Sequence, residues 1–269
     1  MQSTERPEPH KTIPFDIWET SGSTEHLGGI YATQRLVESC CIAPGQVVLD
    51  IGCGTGYTAS YLAQKYQARV VAIDISPRSV EEARKRVFKE GISHQVTILQ
   101  ADAHHLPFSA NAFDTIVVES VLAFCDAAQV FLEMQRVLRA GGVLGVNELT
   151  LLKPPPEELI TLLTGALSIQ SFQEREWRSI FKSGGFVEVV STAHRFNLWE
   201  QLASHIRVDG VRGYLSAMVK GLADVRISRV FINKNMLRAA RKFLPFVGYG
   251  LYIGKKAKGI QDQEQGRNR

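Results

Sequence analysis

The amino-acid sequence predicts an α/β protein built on a doubly wound, mostly parallel sheet. Apolar runs of strand length alternate with stretches of helical spacing between Val47 and Glu148, the pattern of a parallel sheet with helices on both faces. The first run is followed at once by a carboxylate and three alternate glycines, Asp50-Ile51-Gly52-Cys53-Gly54-Thr55-Gly56. Later runs close on, or just before, Asp74, Asp102 and Glu119. In such sheets ligands bind beyond the carboxyl ends of the strands.

The N-terminal arm, residues 1–28, mixes aromatics with turn residues from Ile13 to Leu27 and ends at a Gly28-Gly29 hinge. It reads either as a flap over a bound ligand or as a strap packing Phe15 and Trp18 on the core. A helix follows from about Gly29 to Cys41, with Ile30, Leu36, Val37 and Cys40 at core spacing. Pro44-Gly45 ends the approach to a buried strand at Val47 to Leu49, and Thr58 to Tyr66 forms the next helix. The glycine turn between them brings backbone close to a ligand, where a Cβ would block the approach or forbid the angles. Its spacing is G-x-G-x-G, and Tyr57 occupies the third glycine of the dinucleotide fingerprint. Asp50 at the strand tip repels a pyrophosphate and pairs with a cation. The ligand expected there carries an ammonium group and no phosphates.

Arg69 to Ser76 is the second strand and its exit, with Asp74 placed 18 residues after Gly56, near the spacing at which nucleotide folds put an acid for ribose hydroxyls. Ser76 at N-cap and Pro77 at N1 open a helix through Lys89. Val96 to Gln100 is the third strand, followed by Ala101-Asp102-Ala103-His104-His105. The two histidines point apart in an extended loop, so they do not make a chelating pair. The fourth strand runs to Glu119-Ser120, a helix spans Ala127 to Leu138, Arg139-Ala140-Gly141-Gly142 caps it, and Val143 to Glu148 is the fifth strand. After Pro154-Pro155-Pro156 come helices over Glu157 to Leu167 and Glu174 to Lys182, then a strand from Val187 to Ser191. A stretch from Leu198 to Pro245 reads as helical, with Met236, Leu237, Ala240, Phe243 and Leu244 opposite Lys234, Arg238, Arg241 and Lys242. Tyr249 to Lys256 is the last strand.

The loop from Asp50 to Gly56, Asp74 at the second strand, the Asp102-Ala103 pair and the phrase Val137-Leu138-Arg139-Ala140-Gly141-Gly142 resemble, in order, the motifs of the class I S-adenosylmethionine (SAM) methyltransferases. The likeness covers roughly residues 30–190 and the last strand. It implies a Rossmann-like, seven-stranded sheet whose last strand is antiparallel, here with a helical insertion before it. The organisation it implies is an arm at 1–28, a SAM-binding core at 29–197, a cap or lid at 198–245, the final core strand at 246–258 and a disordered tail at 259–269. It also implies S-adenosyl-L-methionine as cofactor. Gly52, Cys53, Gly54 and Gly56 would form the methionine wall and Asp50 would meet the ammonium. Asp74 would take the ribose, Ile75 an adenine face, Asp102 and Ala103 the adenine amine, and Glu119 would face the methyl donor.

Within the family, the chain is similar to the ubiquinone and menaquinone biosynthesis group, which implies a quinol, aromatic or lipid-like acceptor. The Asn/Asp-Pro-Pro-Tyr motif of amino methyltransferases is absent after the fourth strand, as are a Pro-Cys nucleophile and the acids of metal-dependent catechol methylation. No metal is expected. If a base is needed, Glu119, Glu148, His26 and Tyr31 are the candidates.

Composition sets the outer bounds. The chain of 269 residues is 45% hydrophobic and 22% charged, ordinary globular values. Its four cysteines include the adjacent pair Cys40-Cys41 and no Cys-x-x-Cys, which fits a reducing cytoplasm. Residues 1–194 carry 16 Lys/Arg against 22 Asp/Glu, and residues 195–269 carry 15 against 5. The basic third leaves two other readings beside a small-molecule methyltransferase: an RNA methyltransferase, and a SAM-binding interaction protein without turnover. A peripheral membrane contact by the insertion also stays open, DNA is not an expected partner, and oligomeric state is not legible.

Overall fold

The structure is a computed structural model and describes residues 26–166, 168–197, 199–204, 206–208, 210–211, 238 and 241–258. Helix α1 (Gly29–Ser39) leads into β1 (Val47–Ile51), α2 (Tyr57–Tyr66), β2 (Arg69–Asp74), α3 (Pro77–Lys89) and β3 (Val96–Gln100). Then come β4 (Phe113–Glu119), α4 (Ala127–Val137), β5 (Leu138–Leu151), α5 (Glu157–Thr161), β6 (Phe172–Gln173), α6 (Glu174–Ser183), β7 (Phe186–Arg195) and β8 (Val247–Lys256). The sheet order is β3-β2-β1-β4-β5-β8-β7, with the two-residue β6 beside β5. Strands β1 to β5 are parallel, and β8 runs antiparallel between β5 and β7. The strand order reverses between β1 and β4, which places the switch-point crevice above those two strands.

Local chemistry accounts for the boundaries. Ser76 Oγ accepts from the Ser79 amide at 3.2 Å to cap α3, and Asp126 Oδ1 accepts from Ala128 and Gln129 to cap α4. Strand β5 is longer than its apolar run indicates. It spans 14 residues, and Leu138 already pairs with Phe113, so the expected cap at 139–142 lies inside the strand, with Gly141 at φ +73°. Strand β7 is also extended, to Arg195, by pairing with β8. The helix expected over Glu157 to Leu167 instead passes from α5 into a π-helical turn at Leu162–Ala166.

Side-chain alternation along the strands decides what each face holds. Val48, Val70, Ala72 and Val117 pack with Leu36 and Val37 of α1 and Ala59 and Leu62 of α2. Leu49, Ile51, Ile73, Ile116 and Val118 face the other way, onto Phe131 and Met134 of α4 and Trp177 and Phe181 of α6. Most of the insertion expected at 198–245 and its apolar stripe, the arm before residue 26 and the tail beyond 258 lie outside the described residues. Phe243, which is described, packs on a small cluster of Leu151, Leu159 and Leu163.

Candidate active site

Parity and register bring three acids to one face of the carboxyl edge. Asp50 pairs with Ala72 and Val117, and Asp74 and Glu119 each lie two residues further along those strands. All three therefore point toward α1 and α2. All are buried. Burial first, then the neighbouring Glu119 and Asp74 charges, pushes the Asp50 carboxyl well above the usual carboxylate range. Asp50 Oδ2 is buried without a hydrogen-bond partner, an orphan that a cationic donor would satisfy.

The glycine loop is stitched to β2. The amides of Gly52 and Cys53 both donate to Ile73 O, at 2.8 and 2.9 Å, and the Gly54 amide donates to Asp74 Oδ2 at 2.9 Å. The Gly56 amide closes the turn on Cys53 O. With these four N–H groups already engaged, the loop lacks the free amides that cradle a phosphate, and the buried Asp50 carboxylate beside it suits an ammonium. Gly52 and Gly54 both have positive φ. A Cβ on Gly52 would lie 2.2 Å from Val121 Cγ2, whereas one on Gly54 would project into open space with no atom within 4 Å. The Cys53 side chain is buried, and burial raises its thiol pKa, so only its backbone is available to the loop.

Glu119 is the hub. Its Oε2 accepts from Thr33 Oγ1 at 2.8 Å and Asn147 Nδ2 at 3.3 Å, and its Oε1 accepts from Thr58 Oγ1 at 2.9 Å. His26 Nε2 stands 3.4 Å from Thr58 Oγ1 and 3.9 Å from Glu119 Oε1, with only 11% of the side chain exposed. The hinge beside it is clamped: the Leu27 amide donates to Ser120 Oγ at 3.1 Å, and Leu27 O accepts from Asn147 Nδ2 at 2.7 Å. Ser120 holds φ +60°, an uncommon conformation for a non-glycine residue and one found at sites where surrounding contacts fix it.

Two of the proposed bases are not brought to this group. Glu148 sits one residue past Asn147 and so faces the opposite side of the sheet. Its Oε1 accepts from the Val121 and Leu122 amides at 2.6 and 2.5 Å, and burial raises its pKa to about 7 despite those donors. It caps the turn that follows β4. Tyr31 is turned from Glu119 and stacks with the Arg207 guanidinium 5.8 Å from its ring, while Thr33 on the same helix reaches Glu119 instead.

The residues expected on the adenine side lie at the neighbouring tip. Asp102 Oδ1 accepts from the His104 amide at 2.9 Å and contacts His104 Nδ1 at 2.7 Å. Burial alone would raise the Asp102 carboxyl, but the His104 N–H groups outweigh it and hold it low. His104 Nε2 accepts from the Asp126 amide at 3.1 Å, so its Nδ1 carries the proton toward Asp102. Ala103 is buried, and Ile75 is half-buried beyond Asp74. Among the described residues no cluster of three or more His, Cys, Asp or Glu has the geometry of a metal site. None of the described helices is long and apolar enough to cross a membrane.

Comparison with known proteins agrees with this geometry. A family model described as a methyltransferase domain matches residues 49–146. An uncharacterized methyltransferase, YodH, of Bacillus subtilis is 35% identical over 162 residues, covering 60% of this chain and 68% of its own length. The 27-O-demethylrifamycin SV methyltransferase of Amycolatopsis mediterranei is 32% identical over 146 residues, 54% of each chain. Among solved structures, the [4+2]-cyclase SpnF superposes with a TM-score of 0.73 at 22% identity, over 94% of this chain and 97% of that one. That likeness is one of fold.

Proposed function

Because the chain belongs to the class I SAM-dependent methyltransferases, we propose that it methylates a hydroxyl on a small organic acceptor, a quinol, aromatic or lipid-like compound. The observation that carries this reading is the cleft of Asp50, Asp74 and Glu119 beside a loop whose amides are already engaged. It is electronegative and short of donors, as a ligand bearing an ammonium and a sulfonium requires. The rifamycin relative, by its name a methyltransferase of an O-demethylated compound, supports a hydroxyl acceptor.

SAM held there would supply an electrophilic methyl group. Asp50, through its unpartnered Oδ2, would receive the ammonium. Asp74 and Ile75 would take the ribose and one adenine face, and Asp102 and Ala103 the adenine edge. Glu119 holds Thr33 and Thr58 in place at the methyl end. The His26 imidazole accepts the acceptor's proton, and Glu119, 3.9 Å from its Nε2, balances the imidazolium that results.

The fold is shared with a cyclase, so the test must read transfer itself. Calorimetry with S-adenosylhomocysteine and with NAD comes first, and binding of the former alone is expected. Labelled SAM is then offered with a panel of quinols, phenols and macrolide alcohols. Label transferred to a hydroxyl confirms the reading; transfer only to an amine or thiol sinks it, and binding with no transfer to any class favours a non-catalytic SAM-binding protein.

A further inference from the structure

Three strands along the same carboxyl edge, a second cavity of about 530 Å³ opens where β7 ends and β8 begins. Its volume lies within the range of small-molecule sites. Two guanidinium groups line it, Arg35 from α1 and Arg195 from the end of β7. Among the described residues neither has a salt-bridge partner, and the one carboxylate in the lining is Glu200. Arg35 hydrogen-bonds the Tyr249 hydroxyl, and this contact lowers the Tyr249 pKa against the larger rise from burial.

The remaining lining mixes aromatic rings (His194, Phe196, Trp199 and Tyr249) with Asn197, Glu200 and Leu244. Tyr249 is stacked on His194 at 5.1 Å between centroids, and Trp199 lies at the rim with 80% of its surface exposed. Asn197 Oδ1 accepts from the Trp199 and Glu200 amides at 3.0 and 3.4 Å, so the indole is carried on a capped helical turn rather than a loose loop. That turn is anchored in its own right, because Ser204 Oγ, fully buried, accepts from the Ile30 amide at 2.7 Å. A large exposed indole thus stands on a capped turn beside two arginines that have no salt-bridge partner among the described residues.

We propose that this cavity binds an aromatic carboxylate, with the carboxylate at the Arg35 and Arg195 guanidiniums and the ring against the exposed face of Trp199. Arginine matches a carboxylate bidentately, and an indole face gives a planar apolar body its contact area. The site is separate from the methyl-donor cleft. Between them stands the hinge, where Gly28 (φ +80°) lies so close to the Tyr249 ring that a Cβ would be 2.5 Å from it. The inference does not rest on the methyl-transfer reading.

The test titrates the full chain with 4-nitrobenzoate, a quencher of indole emission, and with neutral 4-nitrobenzamide, by fluorescence and by calorimetry. Saturable quenching by the acid is expected, lost in Trp199→Phe, with the amide at least tenfold weaker. Arg35→Gln/Arg195→Gln should weaken the acid at least tenfold while S-adenosylhomocysteine affinity is unchanged. Equal affinity for acid and amide, unsaturable quenching, or competition between the acid and S-adenosylhomocysteine would each overturn the proposal. The acid-to-amide comparison on the wild-type chain decides it even if the double variant folds poorly.

Discussion

The two faces of the sheet at its carboxyl edge treat neighbouring glutamates in opposite ways. On the α1/α2 face Glu119 gathers Thr33, Thr58 and Asn147 and stands beside His26, in one row with Asp50 and Asp74. On the α4/α6 face Glu148 is closed in by three backbone amides and holds a turn in shape. The residue type and the burial are nearly the same, with Glu119 the last residue of β4 and Glu148 three residues before the end of β5. What separates a site residue from a structural one is a single step in strand parity.

The strongest test of this contrast is Glu119→Ala. It leaves two buried hydroxyls and an amide without their acceptor, at roughly 1–3 kcal/mol each. Loss of at least about 3 kcal/mol in urea denaturation is expected, along with loss of S-adenosylhomocysteine binding; near-wild-type values for both would remove Glu119 from the hub. His26→Asn should follow, lowering kcat by about 10²–10⁴ if the ring takes the acceptor's proton, with cofactor affinity within threefold. An unchanged kcat with a poorer KM would make His26 a binding group instead.

Glu148→Gln sharpens the other side. The folded carboxyl titrates near 7 and the unfolded one near 4.5, so between those values the folded state holds more protons. The wild type should therefore lose stability relative to the variant as pH rises from about 4.5 to 7, by roughly 3 kcal/mol from one end to the other. Parallel melting curves across that window would show that Glu148 does not titrate as described. The smallest effect is expected from His104→Ala, which removes two hydrogen bonds at a half-exposed loop and should cost about 1 kcal/mol, with weaker binding of the adenine end. A change in kcat at saturating SAM would place His104 nearer the chemistry than the geometry does.

The sequence carried the frame well, because alternation of strand and helix and the acids at strand tips are one-dimensional signals. Asp50, Asp74 and Glu119 fall at neighbouring tips as their spacing indicates. Thr33, Thr58, Ser120 and Asn147, which complete the site, went unseen: small polar residues inside helices and strands leave no pattern until register is known. Glu148 was grouped with Glu119 for the same reason, since parity depends on pairing that only the folded sheet fixes. Tyr31 illustrates the matching problem on a helix, where one step around α1 exchanges Glu119 for Arg207. The length of β5 was hidden because its glycines read as a cap, while pairing with β4 and β8 keeps the chain extended through them.

The clamp on Leu27 has a mechanical consequence. One peptide segment is gripped through both its N–H and its C=O by side chains from the tips of β4 and β5. A polypeptide fastened in that way cannot slide along its own axis. His26 is one peptide from that grip, and its own carbonyl accepts from the Gly29 amide at 2.9 Å, so the imidazole is carried on anchored backbone. Loosening Ser120 or Asn147 would release that backbone before it changed any contact His26 makes.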